Sequence, residues 1–548
     1  KVTLTNSSSL SLYSGITNGA NPVYGGLMAV TGMIDVATGC WIYPYSDTTN
    51  GGSVKVAAGE VRVSSGGGIN ADGKGYVLNR GPGKGDDGGS YGGGAGYGGY
   101  GATRNSGKTR GNVYGTLSAP AAPGSGGGHA NLGGTGGSLI WLHVPTGIVW
   151  VAGTLTANGE NAYSTHGGGG AGGGIYLNCR RLEGASTGQL AARGGQGDNG
   201  GGPGGGGRIA VVYNTVEQAG YNPGVKFDTS RGTAGYNKTA GRDSEDGTLY
   251  LPDKSFLSDT ISGGMFQQVY LTIPGFTNWN LGALTVDNTR IFFANTNLAI
   301  TITNDLSVQN SGALGLVGRG SLSARDISLS GNGYLVARSG PTNGVSGDYG
   351  VLFRARRNMT IASGSWVYPY SDPTNGGSPL FAAKNITVQT NAGFNADGKG
   401  YWYGFGPGKG TVIFAGAGYG GKGGNGTSGG GGSAYGITNA PILPGSGGQY
   451  ANGAGNGGGV IRIEVSRVAS VYGTLRANGD TTWNLHGGGG AGGSILLSCD
   501  QLLTSTNTRL WAYGGNGTGN GGGGGGGRIA VWYKDVYPTD RNKLLAGQ

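Results

Sequence analysis

The chain has 548 residues, of which 129 are Gly and 18 Pro, with 12% charged residues and a net charge of +10. The charged share is about half the usual one and no strict Gly-X-Y period runs through the glycine, which excludes charge-driven disorder and a collagen triple helix. The Lys and Arg residues are scattered as on a solvated surface, without the stripe that nucleic acid requires, and no apolar run is long enough to span a membrane.

The chain opens on "KVTLTNSSSLSLYSG", short alternating segments broken by Asn and Ser turns, with no starting Met and no signal peptide. That opening fits a mature product or a window of a longer one. There follow "GCWIYPYSDTTNGG" ending at Gly52, "NADGKGY" from Asn70, "GPGKG" from Gly81 and "YGGGAGYGGYG" around Tyr91, Tyr97 and Tyr100. Glycine runs then lead into short apolar segments: "GGSLIWLHV", "HGGGGAGGGIYLNC" ending at Cys179, and "GGGGRIAVVY" ending at Tyr213. These segments carry Val, Ile, Leu and Tyr without a helical period, so almost no α-helix is expected.

From Leu251 to Arg325 the pieces "AITIT", "LSVQ" and "DISLS" recur between Asn, Gly and Ser turns. The opening then returns as "ISLSGNGYLVARSG" from Ile327, and the remaining motifs return behind it. Trp366 answers Trp41 at an offset of 366 − 41 = 325, and Arg528 answers Arg208 at 528 − 208 = 320. The chain is therefore read as a first unit at 1–228, connecting β-helical coils at 229–325 and a second unit at 326–548. No Pro-rich or charged linker parts the copies, which predicts one continuous solenoid. The strand grammar predicts an all-β, right-handed parallel β-helix, with an antiparallel sandwich as the competing architecture.

If successive coils stack, the glycine runs lie side by side. An extended helix of three residues per turn has no internal hydrogen bonds, and only glycine lets neighbouring backbones satisfy one another. Parallel polyglycine-II arrays are thus expected, with Gly167, Gly170, Gly487, Gly490, Gly521 and Gly527 as structural positions, and with Ala171, Pro203 and Asn520 pointing outward. Flexible surface loops are the alternative.

Chemistry is sparse. Cys179 and Cys499 are one position in two copies, and Cys40 has Ser365 as its counterpart, so small buried hydrophobes are expected. Asp47 and Asp372 in "YPYSD" and Asp72 and Asp397 in "NADGKG" read as turn residues; Asp72 and Asp397 are also the calcium candidates, with too few oxygens in view. His166 and His486 open glycine runs as caps, since neither has a second ligand nearby. No catalytic residue, resident metal or cofactor is expected, and an enzyme of the β-helical lyase or glycosidase kind is the least favoured reading. Tyr97, Tyr100, Tyr401, Trp402 and Tyr419 are the candidates for stacking on glycans.

The succession "NADGKGY", "GPGKG", "GAGYGG", "PGSGG", "GGGGAGG" and "GGGGGGGRIAVWY" resembles glycine-rich repeat units of large secreted and cell-surface bacterial proteins. The strand segments are similar to those of filamentous β-helical adhesins, and the glycine runs to polyglycine-II proteins such as snow-flea antifreeze proteins and phage tail-tip adhesins. The resemblance implies surface attachment or a structural fibre and brings no catalytic residues. The chain ends on "YKDVYPTDRNKLLAGQ" without an obvious polar cap, which favours head-to-tail assembly. The expected product is an extracellular filament that partners itself, with a carbohydrate-binding adhesin as the alternative, no nucleic acid and no membrane span.

Overall fold

A computed structural model describes residues 1–17, 24–87, 91–102, 110–129, 132–234, 244–427, 429–449, 453–482 and 486–536. The closing residues 537–548, on which the expectation of an uncapped end partly rests, lie outside them. Apolar residues at every second position give each short segment one face to bury, and β-branched side chains suit that pleat. The result is nearly all β, with large parallel sheets. Every strand ladder described is parallel, so the antiparallel sandwich falls away. The single helix among the described residues, Thr215–Gln218, is one turn capped by the Asn214 side chain.

The chain divides into two compact units, Lys1–Leu257 with Gly264–Gly275 and Ser258–Gly263 with Phe276–Gln548. The division falls inside the stretch read as connecting coils.

In the first unit one sheet runs Val2–Leu4, Gly26–Val36, Val54–Val63, Leu139–Val151, Gly174–Gly184, Arg208–Val212, Thr248–Tyr250, Val269–Thr272. A seven-stranded sheet runs Ser9–Tyr13, Trp41–Tyr45, Gly68–Asn70, Thr154–Thr156, Gln189–Ala191, Lys226–Asp228, Phe266–Gln267. The chain visits the two in alternation, so residues far apart in sequence fall into register. Ile140, Ile175, Ile209, Leu249 and Leu271 form one such row, all buried.

The second unit repeats the scheme. Its first sheet contains Arg290–Phe293, Ala313–Gly318, Tyr334–Ser339, Trp366–Tyr370, Gly393–Asn395, Thr474–Arg476 and Arg509–Trp511. The other has 15 strands and includes Leu352–Ile361, Leu380–Val388, Val460–Val465, Ser494–Ser498 and Arg528–Trp532. Leu314, Leu335, Val367, Phe394 and Leu475 make a buried row.

The three cysteines are free and buried, as expected of small hydrophobes. Burial pushes the Cys179 thiol up to about 12 and Cys499 to about 11, which removes the reactive thiolate. Between strands of both units the chain leaves the sheets, and there the glycine is concentrated.

Candidate functional site

The 166–174 segment shows how that glycine is held. Its N–H groups donate in a strict cycle of three. Gly168 and Ala171 donate to the Gly128 and Ser125 carbonyls (3.1 and 2.9 Å), Gly169 and Gly172 to Gly202 and Gly205 (2.9 and 3.0 Å), and Gly170 and Gly173 to Glu160 and Ala157 (3.0 and 2.6 Å). Its carbonyls accept from three other segments, through Gly92 and Ala95, through Gly134 and Gly137, and through Gly195. Three acceptor segments and three donor segments therefore surround one glycine strand. A threefold period is what points successive amides in three directions, and a buried amide without a partner would be costly.

The segment 487–493 repeats the arrangement. Gly489 and Gly492 donate to Gly522 and Gly525, Gly490 and Gly493 to Asp480 and Ala477, and Ala491 to Ser446, while Ala417, Gly455, Gly458 and Gly515 donate to it. The expectation of uniformly parallel segments is corrected here. Acceptor numbers rise toward 201–208 but fall toward 121–129 and 157–163, so parallel and antiparallel neighbours are mixed. A three-directional pattern of N–H and C=O groups can be met by a neighbour of either direction.

The spacing leaves no room for side chains. A Cβ built on Gly168, Gly169 or Gly170 would stand 2.0 to 2.1 Å from a neighbouring carbonyl oxygen, and one on Gly489 or Gly490 at 2.0 or 1.9 Å. Gly167 and Gly487 are equally closed, by the Leu132 carbonyl and the Thr482 hydroxyl. The outer segment 521–527 differs. Gly521 and Gly527 donate to Thr518 and Ala512 (2.9 and 2.7 Å), yet nothing stands within 4 Å of a Cβ on Gly526.

Alanine interrupts the runs for a reason opposite to the expected one. Ala171 and Pro203 are buried, and only Asn520 is exposed. Ala171 packs with Ala95 against the fully buried Tyr97, and Ala491 with Ala417 against Tyr419. Each tyrosine has a second ring beside it, Tyr114 at 4.7 Å and Tyr435 at 4.8 Å between centroids. Arg208 and Arg528 lie 5.5 Å over Tyr97 and Tyr419, and their Nε groups donate to the Tyr114 and Tyr435 carbonyls (2.8 and 3.1 Å). The Tyr114 and Tyr435 hydroxyls donate to Pro123 and Pro444 carbonyls and accept from Ser125 and Ser446 (2.9 Å each). Burial pushes Tyr419 up to about 12, and Tyr97, Tyr114 and Tyr435 well above the usual tyrosine range.

Three of the proposed glycan contacts are thereby corrected. Tyr97, Tyr419 and Tyr401 are buried and offer no ring to a ligand, because they fill the space where side-chain-free segments meet the sheets. Tyr100 and Trp402 are half-buried, and the Arg110 guanidinium covers the Tyr100 ring at 3.7 Å. Asp47 and Asp372 accept from the amides two and three residues on, as turn residues do. Asp72 and Asp397 accept from the Asn158 and Asn478 amides (2.6 and 2.7 Å), tying one glycine-rich loop to the next. The Lys74 and Lys399 ammonium groups donate to the Asp72 and Asp397 main-chain carbonyls (2.9 and 3.0 Å). His166 has a left-handed backbone with its ring 4.4 Å from Tyr91, and His486 lies 5.7 Å from Phe414. Among the described residues no group of three His, Cys, Asp or Glu side chains could hold a metal.

One half-buried, outward-facing feature escaped the sequence reading, although its signal is the alternation in "WIYPY" and "WVYPY". Ile42, Pro44, Val367 and Pro369 point inward, so Trp41, Tyr43 and Tyr45, and Trp366, Tyr368 and Tyr370, face outward. Lys74 lies 5.4 and 5.5 Å over Tyr43 and Tyr45, and Lys399 lies 5.7 and 5.2 Å over Tyr368 and Tyr370. Set against protein families, curated proteins and solved structures, the chain matches none.

Proposed function

We propose that the chain is an extracellular structural protein, a subunit or repeat window of a self-assembling surface filament. In this reading the parallel sheets are the walls of a right-handed β-helix, and the glycine segments are polyglycine-II arrays borne on its coils. The observation that carries it is the six-neighbour hydrogen bonding of 166–174 and 487–493. A lone glycine segment would lose more to ordering, about 1–2 kcal/mol per residue, than its bonds return. Bonded on all sides it becomes a stiff slab, which suits a load-carrying fibre better than a ligand site.

Exposed apolar side chains support assembly. Ile209 is fully buried in the strand Arg208–Val212, whereas its counterpart Ile529 is 45% exposed and Trp532 53% exposed in Arg528–Trp532. Tyr13, in the edge strand Ser9–Tyr13, is 72% exposed. Exposed apolar side chains on these strands favour contact between copies. Electron microscopy and sedimentation of the purified chain over rising concentration test this. Fibres are expected, and they should disappear in an Ile529→Asp, Trp532→Asp variant that keeps the parent melting temperature. A monodisperse monomer at high concentration, without fibres, overturns the proposal.

A further inference from the structure

In the second unit, turns and strands from successive rungs of one sheet converge on a concavity of about 370 Å³. Its floor is a register row in which Trp366, Gly393, Thr474 and Arg509 succeed one another. Their in-sequence neighbours Val367, Phe394 and Leu475 are buried, so this row faces outward. Gly393 contributes no side chain and is closed over by its neighbours, with the Trp366 indole lying against it, and Gly473 joins Trp366 and Thr474 in lining the concavity. The exposed turn residues Thr390, Asn391 and Asn507 complete the wall, with Asn391 held in the left-handed region at φ +61°. The Arg476 guanidinium stands 5.5 Å from the Trp366 ring in the next outward row.

This set of groups has a definite chemistry. An indole offers a flat apolar surface to the C–H face of a pyranose, while two amides and a hydroxyl can donate to and accept from sugar hydroxyls. Arg509 Nη1 donates to the Thr506 and Thr508 carbonyls (2.7 and 2.9 Å), and no carboxylate among the described residues pairs with it. Its remaining N–H groups form a fork suited to a carboxylate. The net charge of +10 adds attraction for a polyanion. The volume falls near the lower end of the roughly 300–1,000 Å³ typical of small-ligand sites.

We propose that this groove binds an acidic sugar of a polysaccharide chain, a uronate, with its ring on Trp366 and its carboxylate on Arg509. The duplication supplies an internal control. The corresponding positions of the first unit are Trp41, Ser65, Gly66, Thr154, Thr187 and Gln189, which keep the indole and the threonine but lack the guanidinium and both asparagines, with the Gln189 amide standing where the guanidinium would be. Binding therefore belongs to the second unit alone.

Oligogalacturonate titrated calorimetrically into the full chain tests this, with a neutral galactan oligosaccharide of equal length as comparison. One saturable site per chain is expected, with the neutral sugar about tenfold weaker or more, as loss of a charge-assisted bond implies. Arg509→Gln and Trp366→Leu should each weaken binding by about tenfold or more, whereas Trp41→Leu and Gln189→Ala leave it unchanged. If Trp366→Leu fails to fold, Asn507→Ala on the exposed turn takes its place, with a smaller but measurable loss expected. Absence of saturable binding overturns the proposal. So does equal weakening by Trp41→Leu, or binding that Arg509→Gln leaves intact while salt abolishes it, since that is adsorption of a polyanion to a basic surface.

Discussion

The two glycine arrays share one hydrogen-bonding plan and differ in two places. At the tyrosine pocket of the second array, the Tyr419 hydroxyl meets the Ser494 hydroxyl at 2.6 Å, and Ser494 also bonds the Leu443 carbonyl. The first array has Gly174 at the position of Ser494 and, paired with it in register, Leu139 at the position of Val460. The Tyr97 hydroxyl is buried beside the Ala122 backbone without a bond of ordinary geometry. A Cβ on Gly174 would come 2.6 Å from Leu139 Cδ1, so the leucine and the serine exclude one another. The larger leucine therefore goes with glycine, and the smaller Val460 leaves room for the Ser494 hydroxyl. The second difference is cover. The segment 201–207 is buried throughout, with the Gly206 amide bonded to the Glu245 carbonyl, whereas 521–527 exposes Gly523 and Gly526. Similar glycine strings thus meet different demands, set by their neighbours.

The largest expected effect breaks the lattice itself. Gly489→Val puts a side chain onto the Gly515 carbonyl and should cost about 3 kcal/mol or more, or prevent folding. Gly526→Val, in open space, should stay within about 0.5 kcal/mol. Urea or thermal denaturation of the two variants decides, and equal stabilities would remove the steric account of the glycine.

High pH acts on both tyrosine pockets together. Tyr97, Tyr114, Tyr419 and Tyr435 are raised in the fold, chiefly by burial, so the unfolded chain releases its protons first. Their contribution is complete below pH about 10 and is lost as pH climbs toward the folded values, near 12 for Tyr419. Melting temperature should fall between pH 10 and 12, with Tyr419 alone accounting for about 2 kcal/mol. A flat profile there would contradict the burial.

The pockets separate under a smaller change. Tyr419→Phe removes a paired hydroxyl and should cost about 1 kcal/mol, while Tyr97→Phe removes an unsatisfied one and should be neutral or stabilising. The smallest contrast lies in hydrogen exchange. Amides of Gly489 to Gly493 and of Gly206 should exchange slowly and that of Gly526 fast, and rapid exchange throughout Gly487 to Gly493 would mean that the array is not formed.

Duplication, strand alternation and the association of glycine with neighbouring backbone were legible in the chain, because each leaves a mark in local order. The repeat offsets identify equivalent positions, and Val, Ile and Leu at alternate places require one buried face. Parallel pairing was the favoured of two architectures read from the short alternating segments, and the ladders decide for it over the antiparallel sandwich. Reading Tyr97, Tyr401 and Tyr419 as surface residues failed because an aromatic residue among glycines carries no period to tell which way it faces. Ala171 failed for the same reason: its methyl group is buried only because Tyr97 arrives from a distant segment.

The sequence by itself determined that this chain is a duplicated β protein whose glycine is structural, since side-chain alternation and repetition are one-dimensional properties. Tertiary structure alone decided the mixed direction of the array segments, the inward tyrosines and the Trp366 groove. A residue without a side chain records no preference among six neighbours, and a groove assembled from separate strands exists only once register places Trp366, Thr474 and Arg509 in one row.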